Sequence, residues 1–241
     1  PPVPLDREPG PRVGVRRLRQ VRAQLRVVDE PGQRLRRRLG ALIDRDVHAR
    51  ESGDYFIRSI YFDDGSLTAF HDKLAGVSIR NKYRIRFYNM DASRLFFEAK
   101  RKRDRFVHKD CTPISRAQAD RLLSGKPLTK DECSDPLLGE FSALCNIGMQ
   151  PSVVVDYVRT AFVYPVGDVR ITLDSDLYAE SYREDSVFTD SGGVPVLEGG
   201  DVILEVKFTG FLPPFIAAAL SDVPKILSAN SKYCNCLAVY L

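Results

Sequence analysis

The sequence is poor in residues that mark metal and disulfide sites. It has no tryptophan, two methionines and three histidines among 241 residues. Because His48, His71 and His108 are scattered along the chain, a zinc site is not expected. The five cysteines are odd in number and include no Cys-x-x-Cys pair, which is typical of reduced thiols.

Long apolar runs are also missing. No segment approaches the roughly 20 apolar residues that cross a bilayer, and the Pro- and Arg-rich start lacks the apolar core of a signal peptide. We therefore expect a cytoplasmic protein without a membrane span. Residues 1–15 are rich in Pro and Gly and predict a flexible tail, and residues 16–241 predict a single domain.

The overall composition is that of an ordinary globular protein, with 44% hydrophobic and 28% charged residues. The net charge of +4 is modest. However, Arg and Lys are concentrated in the first part of the chain and Asp and Glu are commoner later. Local fields are therefore expected to matter more than the total charge.

The segment Gly76 to Asn89, GVSIRNKYRIRFYN, has the most informative pattern. Read as a strand, it has an apolar face and a basic face, and the basic face carries Arg80, Lys82, Arg84, Arg86 and Tyr88. Neighbouring cations on this face would repel by about 2.5 kcal/mol at an effective dielectric near 20, but by only about 0.6 kcal/mol in bulk water. The row is either a solvated outer face or a surface that binds a long polyanion.

The same alternation recurs in seven more segments, which together predict eight antiparallel strands. They lie near residues 18–28, 55–62, 94–102, 105–111, 151–165, 168–178 and 201–208. Helices are predicted from Pro31, over 66–74, over 115–123 behind a Ser-x-x-Gln capping box, over 136–147, and as a C-terminal pair.

Two architectures fit this pattern. In one, the polar faces look outward around a filled barrel or sandwich. In the other, helices cover the outside and the charged faces line a central tunnel. Because the amphipathic helices need an apolar surface to cover, we favour an α+β fold, an eight-stranded antiparallel β-barrel tunnel with helices packed outside and a C-terminal helical cap.

Seven segments resemble, in order and spacing, the catalytic domain of vacuolar transporter chaperone (VTC) polyphosphate polymerases. They are FIRSIYFDD, KLAGVSIRNKYRIRFYN, EAKRK, YVRTAF, VRITLD, LEVKF and the terminal SKYC. The resemblance covers about residues 18–240. It implies the triphosphate tunnel metalloenzyme fold, which is related to CYTH-type triphosphatases and adenylyl cyclases.

The resemblance also implies roles for individual residues. The catalytic set is Arg84, Arg86, Lys100, Arg159, Arg170 and Lys232. The substrate-binding set is Arg26, Arg58, Lys82, Lys102, Lys109, Tyr157 and Lys207. A Mn²⁺ or Mg²⁺ ion would be held by Glu205, with Glu98 or Asp174 as a further ligand.

One position departs from the family pattern. The family's first strand carries Glu-x-Lys, whereas the matching residues here are Gln24 and Arg26. A neutral amide oxygen is a weaker ligand for a hard cation than a carboxylate, and Arg does not replace the compact ammonium of Lys. Phosphate binding is expected to survive this change better than catalysis.

Three activities are therefore compatible with the sequence. The first is a metal-dependent polymerase that moves the terminal phosphate of ATP onto inorganic polyphosphate or a pyrophosphate primer. The second is a module that binds polyphosphate or a triphosphate without turnover, and the third and weakest is a triphosphatase. Nucleic-acid binding is not expected, because a narrow basic tunnel excludes a duplex and offers no exposed stacking platform.

Overall fold

The computed structural model describes residues 20–27, 29–46, 53–189, 192–197, 201–221, 226–227 and 230–241. For residues 20–27, 29–31 and 226–227 it describes the backbone alone. The predicted tail over 1–15 and His48 lie outside the described residues.

The described part of the chain contains eleven strands and six α-helices. The strands are Gln20–Val27 (β1), Asp44–Arg45 (β2), Asp54–Asp63 (β3), Ile79–Tyr88 (β4), Leu95–Arg103 (β5), Phe106–Ile114 (β6), Gln150–Tyr164 (β7), Val169–Ser181 (β8), Val194–Pro195 (β9), Val202–Thr209 (β10) and Ile226–Leu227 (β11). The helices are Asp29–Leu42 (α1), Thr68–Leu74 (α2), Arg116–Leu123 (α3), Pro136–Cys145 (α4), Pro214–Ser221 (α5) and Lys232–Leu237 (α6). The eight predicted strands correspond to the eight longer ones.

The helix starts follow from local capping chemistry. Ser115 caps α3 by accepting a hydrogen bond from the backbone N–H of Gln118, whose side chain accepts one from the backbone of Ser115 in return. Asp135 caps α4, and Pro136 occupies the first turn, where no N–H is needed. Several predicted helix boundaries shift: α1 begins at Asp29 rather than Pro31, α2 begins at Thr68 rather than Ser66, and α4 ends at Cys145 rather than near residue 147.

Contacts within the chain divide it into two compact units. The first contains the described residues of Pro1–Tyr55, Val158–Asp176 and Leu197–Asn230. The second contains those of Phe56–Tyr157, Leu177–Val196 and Ser231–Leu241. Every strand pairing with a given register is antiparallel in both units.

The first unit is built on β1, β8 and β10. Strand β10 pairs with β1 and with β8, β11 pairs with β1, and β2 pairs with β7. Its core joins Leu35 and Leu39 of α1, Leu173 of β8, Leu204 of β10 and Ile216 of α5, all of them buried. The helices thus cover the apolar face of this sheet.

The second unit is an antiparallel meander of β3, β4, β5 and β6. Helices α3 and α4 pack on its apolar face, where Phe97 and Phe141 lie with ring centroids 4.5 Å apart. Tyr83 and Ile85 of the basic strand β4 belong to the same core. Burial of this apolar face leaves the alternate side chains of β4 on the opposite face.

The predicted class is confirmed: the protein is α+β, with a mostly antiparallel sheet and helices packed on apolar faces. Closure of the strands into an eight-stranded barrel stays a prediction. Among the described residues, no helix combines the length and apolar character needed to cross a bilayer.

Two buried thiols predict a pH dependence of stability. Burial raises the pKa of Cys145 to about 11 and that of Cys236 to about 12. Because these values exceed the unfolded value of about 8.5, the protonated thiols stabilise the fold fully below that pH and cease to do so as the pH rises through 11 to 12. We expect each thiol to lower the free energy of unfolding by about 1.4 kcal/mol per pH unit above pH 8.5.

Urea unfolding at several pH values between 8 and 10 measures this slope. The change in the free energy of unfolding per pH unit is compared between the wild-type protein and Cys236→Ala. This slope should be shallower in the variant by the contribution of one thiol. Equal slopes in the two proteins would contradict the assignment.

Candidate functional site

A row of three lysines crosses the second unit. In the antiparallel register Lys82 of β4 lies opposite Lys100 of β5, and Lys100 lies opposite Lys109 of β6. Directly opposed residues share a face of the sheet, and like charges in such positions are destabilising. This arrangement is unfavourable for folding alone and is suited to an anion that lies across the strands.

The next row along the strands holds a buried ion cluster around Glu98. Arg84 Nε lies 2.5 Å from Glu98 Oε2, and Lys109 Nζ lies 2.9 Å from Glu98 Oε1. Arg86 Nη1 is 3.8 Å from Glu98 Oε2. Among the contacts that the structure describes here, the Glu98 carboxylate faces three cations.

Arg84 stays protonated in this surrounding. Burial and the neighbouring Arg86 lower the pKa of Arg84, but Glu98, Tyr61 and Tyr157 together raise it above its usual value. Arg86 is itself buried, and it donates hydrogen bonds to Ser59 Oγ and to the hydroxyl of Tyr157, each at 3.1 Å. The two guanidinium groups are thus held in place by protein partners.

Tyr61 completes this row on β3. Its hydroxyl accepts a hydrogen bond of 2.8 Å from Arg84 Nη1. Burial alone raises the pKa of Tyr61, but the charges of Arg84 and Arg86 outweigh burial and bring the pKa below its usual value. A lowered phenol pKa reports the positive potential at this part of the face.

Helix α6 belongs to the same unit, and Ser231 and Lys232 at its start contact residues of the basic face. Ser231, its N-cap, accepts a hydrogen bond of 2.8 Å from Lys82 Nζ, and that ammonium also lies 4.8 Å from the ring centroid of Tyr233. Lys232 Nζ lies 4.7 Å from the ring centroid of Tyr157. Burial lowers the pKa of Lys82, because desolvation disfavours the charged ammonium, and an anion beside the ammonium would stabilise its charged form.

Arg58 does not lie on the face of the sheet that carries Arg84 and Arg86. It lies opposite Phe87, on the side of the sheet that the helices cover, and it is 1% exposed. Its guanidinium forms two hydrogen bonds with Asp156, at 2.9 and 2.6 Å. The structure therefore corrects the substrate-binding role predicted for Arg58 to that of a buried ion pair.

Lys102 lies one row further toward the end of the sheet. It is opposite Arg80 on β4 and Val107 on β6 and is half-buried. It shares a strand face with Lys100 and Glu98, as the alternation predicts.

In the first unit, Arg170 and Lys207 are directly opposed on β8 and β10. Arg170 Nη1 donates a 2.6 Å hydrogen bond to Asp46 Oδ2, and its Nη2 lies 3.4 Å from the hydroxyl of Tyr55. Lys207 Nζ is 3.7 Å from Glu205 Oε2. This pair of cations repeats, on a smaller scale, the opposed lysines of the second unit.

Arg159 has a strong protein partner in the first unit. Its Nε and Nη2 donate to the two carboxylate oxygens of buried Asp174, at 2.7 and 2.9 Å. The bidentate geometry fixes the guanidinium plane and occupies Asp174, which is therefore a poor further metal ligand.

Glu205 occupies a register position between β1 and β8. It lies opposite Thr172 on one side and, by backbone pairing, opposite Gln24 on the other. Arg26 pairs with Ile203 in the same ladder. Gln24, at the position where the family carries glutamate, is therefore directly opposite the predicted metal ligand Glu205 in the strand register.

The predicted metal can be tested against these donors. Among the described residues, no three His, Cys, Asp or Glu side chains cluster as a metal site. Glu98 does not fit, since its oxygens face Arg84 and Lys109. Glu205 does fit, because Mg²⁺ is commonly held by one or two carboxylates plus substrate phosphates, and the buried Thr172 hydroxyl beside it has no hydrogen-bond partner among the described residues.

The second unit thus brings together seven of the predicted residues, and the first unit holds four more. The seven are Lys82, Arg84, Arg86, Glu98, Lys100, Lys109 and Tyr157, with Lys102 and Lys232 at their margins; the four are Arg159, Arg170, Glu205 and Lys207. Ser59, Tyr61 and Ser231 were missed. Tyr61 and Ser59 could have been found from the register of β3 against β4, but sequence alone does not provide that register.

Comparison with known proteins identifies the family. A model of the VTC domain matches residues 20–241. The chain belongs to the VTC domain family. The membership predicted from the seven segments is therefore confirmed over nearly the whole chain.

Solved structures are similar to this VTC domain at low sequence identity. A Bacillus halodurans protein described as a candidate adenylate cyclase has a TM-score of 0.52 and 13% identity, with 88% of this chain and 94% of that chain covered. The PH1819 protein of Pyrococcus horikoshii OT3 has a TM-score of 0.45 and 13% identity, with 92% and 100% covered. No curated protein matches the chain significantly.

Proposed function

We propose that this VTC domain is a metal-dependent polyphosphate polymerase that transfers the terminal phosphate of ATP to a growing inorganic polyphosphate chain. The observation that carries the proposal is the row Lys82, Lys100 and Lys109 beside Arg84 and Arg86. Directly opposed like charges are destabilising, and a polyphosphate chain lying across the strands would offset them. The proposal includes the predicted tunnel, lined by the polar faces of the strands.

The residues have separate roles in this proposal. The lysine row binds successive phosphates of the chain as point charges, and Arg84 and Arg86 clamp the reacting phosphates with planar forks. The terminal oxygen of the polyphosphate attacks the γ-phosphorus of ATP, a new P–O bond forms, and the bond to the leaving ADP breaks. Such a transfer needs in-line positioning and charge neutralisation more than covalent help.

A metal ion fits one part of this scheme. Glu205, together with the Thr172 hydroxyl, would hold Mn²⁺ or Mg²⁺, which when bound supplies charge neutralisation to the phosphates. In the first unit Arg170 and Lys207 would bind phosphate oxygens, and Arg159 would do so from its fixed position beside Asp174. Arg26 and Lys232 would add charge from β1 and α6.

A second candidate function is a module that binds polyphosphate or a triphosphate without turnover. The register of Gln24 opposite Glu205 favours it, because the family's glutamate at this position would add a second carboxylate beside the metal. Binding depends on the cations of the second unit and needs no such ligand.

A product analysis separates these functions. The purified protein with ATP, Mn²⁺ and a short polyphosphate primer is expected to yield long polyphosphate on a gel. Gln24→Glu is expected to raise the rate, since it restores a carboxylate beside Glu205. Free phosphate as the sole product would instead indicate a triphosphatase, and primer binding without any product would indicate the binding module.

A further inference from the structure

An exposed apolar and basic patch lies at one end of the second unit. It consists of the segment 73–80, which joins α2 to β4, and the segment 102–107, which forms the turn between β5 and β6. Residues 74–79 and 103–108 are all exposed. Five large apolar side chains lie in these segments: Leu74 (65% exposed), Val77 (38%), Ile79 (59%), Phe106 (63%) and Val107 (51%).

The two segments form one surface. The backbone N–H of Asp104 donates to the carbonyl of Ser78 at 3.0 Å, which joins the turn to the start of β4. Ile79 lies opposite Arg103, and Arg103 lies opposite Phe106. Arg103 therefore lies between Ile79 and Phe106 across the strands, and Val107 lies opposite Lys102 on the other face of the sheet.

The charges in the patch have nearly one sign. Lys73, Arg80, Lys102, Arg103 and Arg105 are all cations, and Asp104 is the single carboxylate within the two segments. Arg105 lies over the Phe106 ring at 5.3 Å from its centroid. Ile79, Arg80 and Arg103 also line a pocket with Asp64, Asp72 and Glu140. The positive charge is therefore concentrated at the turn 102–106, where a partner must accept the exposed Phe106 ring and carry negative charge.

We propose that this patch docks the domain on the surface of an anionic phospholipid bilayer. Phe106 and Ile79 would enter the region between headgroups and acyl chains, and the surrounding cations would bind lipid phosphates and carboxylates. Cores of protein–protein interfaces are depleted of lysine and of charged residues in general, although arginine and aromatic residues are enriched there, so an interface between proteins is a separate outcome of the test. The proposal does not depend on any turnover by the domain.

Vesicle flotation tests the proposal directly. The whole chain is mixed with vesicles of phosphatidylcholine containing about 30% phosphatidylserine, or with phosphatidylcholine alone, at low and high salt. We expect binding to the anionic vesicles and its loss at high salt, because the charge attraction is screened. No binding, or equal binding to both kinds of vesicle, would overturn the proposal.

Matched variants locate the contact. Arg103→Gln with Arg105→Gln should weaken vesicle binding about 25-fold, at about fivefold for each cation. The control is Lys126→Gln with Lys130→Gln, which removes two exposed cations of the same unit outside the patch and should change vesicle binding little. Phe106→Ser should weaken binding roughly tenfold, and Ile147→Ser, at an exposed position outside the patch, should not.

Three results with folded variants would contradict the patch assignment. The first is wild-type vesicle binding by the Arg103 and Arg105 variant. The second is a loss of soluble tripolyphosphate binding in that variant without a loss of vesicle binding, which would make the patch a free-phosphate site. The third is self-association of the chain that Phe106→Ser abolishes, which would make it an interface between copies.

Discussion

Arg84→Ala is expected to weaken binding of inorganic tripolyphosphate by about 10- to 100-fold, which corresponds to the loss of charge-assisted hydrogen bonds worth about 1.5–3 kcal/mol. The structure explains why this variant should still fold. The Arg84 side chain is 18% exposed against 4% for that of Glu98, and its removal leaves Glu98 with Lys109 at 2.9 Å and Arg86 at 3.8 Å. Isothermal titration calorimetry without ATP measures the binding alone.

Three further variants make the result specific. Arg84→Lys keeps the charge but loses the planar fork, so it should restore part of the affinity. Arg94→Ala removes an exposed arginine from the turn between β4 and β5 and should leave the affinity unchanged. Arg84→Ala together with Arg86→Ala is expected to abolish binding, and a wild-type dissociation constant in that double variant would exclude this face of β4 as the phosphate site.

Arg58→Ala is expected to lower the free energy of unfolding by about 3–5 kcal/mol, because it leaves Asp156 as a buried charge without its partner. For a chain of this size such a loss lowers the melting temperature by roughly 6–20 °C. Arg58 also donates to the carbonyls of Val187 at 3.0 Å and Thr189 at 2.6 Å and lies 3.7 Å from Glu180, so several buried groups lose a donor together.

The control for this effect is an arginine in a solvated ion pair. Arg116→Ala breaks an exposed pair with Asp120 and should cost less than about 1 kcal/mol. Thermal unfolding followed by circular dichroism measures both variants. If Arg58→Met instead left the stability unchanged and weakened tripolyphosphate binding, Arg58 would belong to the phosphate site, as its sequence context predicts.

The contrast between Arg58 and Arg84 shows where sequence reasoning about this protein works. Alternation along β4 correctly separates Arg84 and Arg86 from Tyr83 and Ile85, because the side-chain period of a strand is a local property. On β3, Arg58 shares its face with Ile60 and Phe62, which the same rule assigns to the apolar side. The family segment that contains Arg58 suggested a phosphate contact, and the tertiary partner Asp156, 98 residues away, decided otherwise.

The sequence by itself determined the eight longer strands, the six helices, the capping of α3 and the VTC family, since hydrophobic periodicity, turn residues and ordered motifs are encoded along the chain. Only the tertiary structure decided which cations meet. The register of β4, β5 and β6 places Lys82, Lys100 and Lys109 in one row, and it joins segments 73–80 and 102–107 into one patch. A shift of two residues in that register would keep each side chain on its face but change which cations are opposed, and the alternation along one strand does not distinguish the two registers.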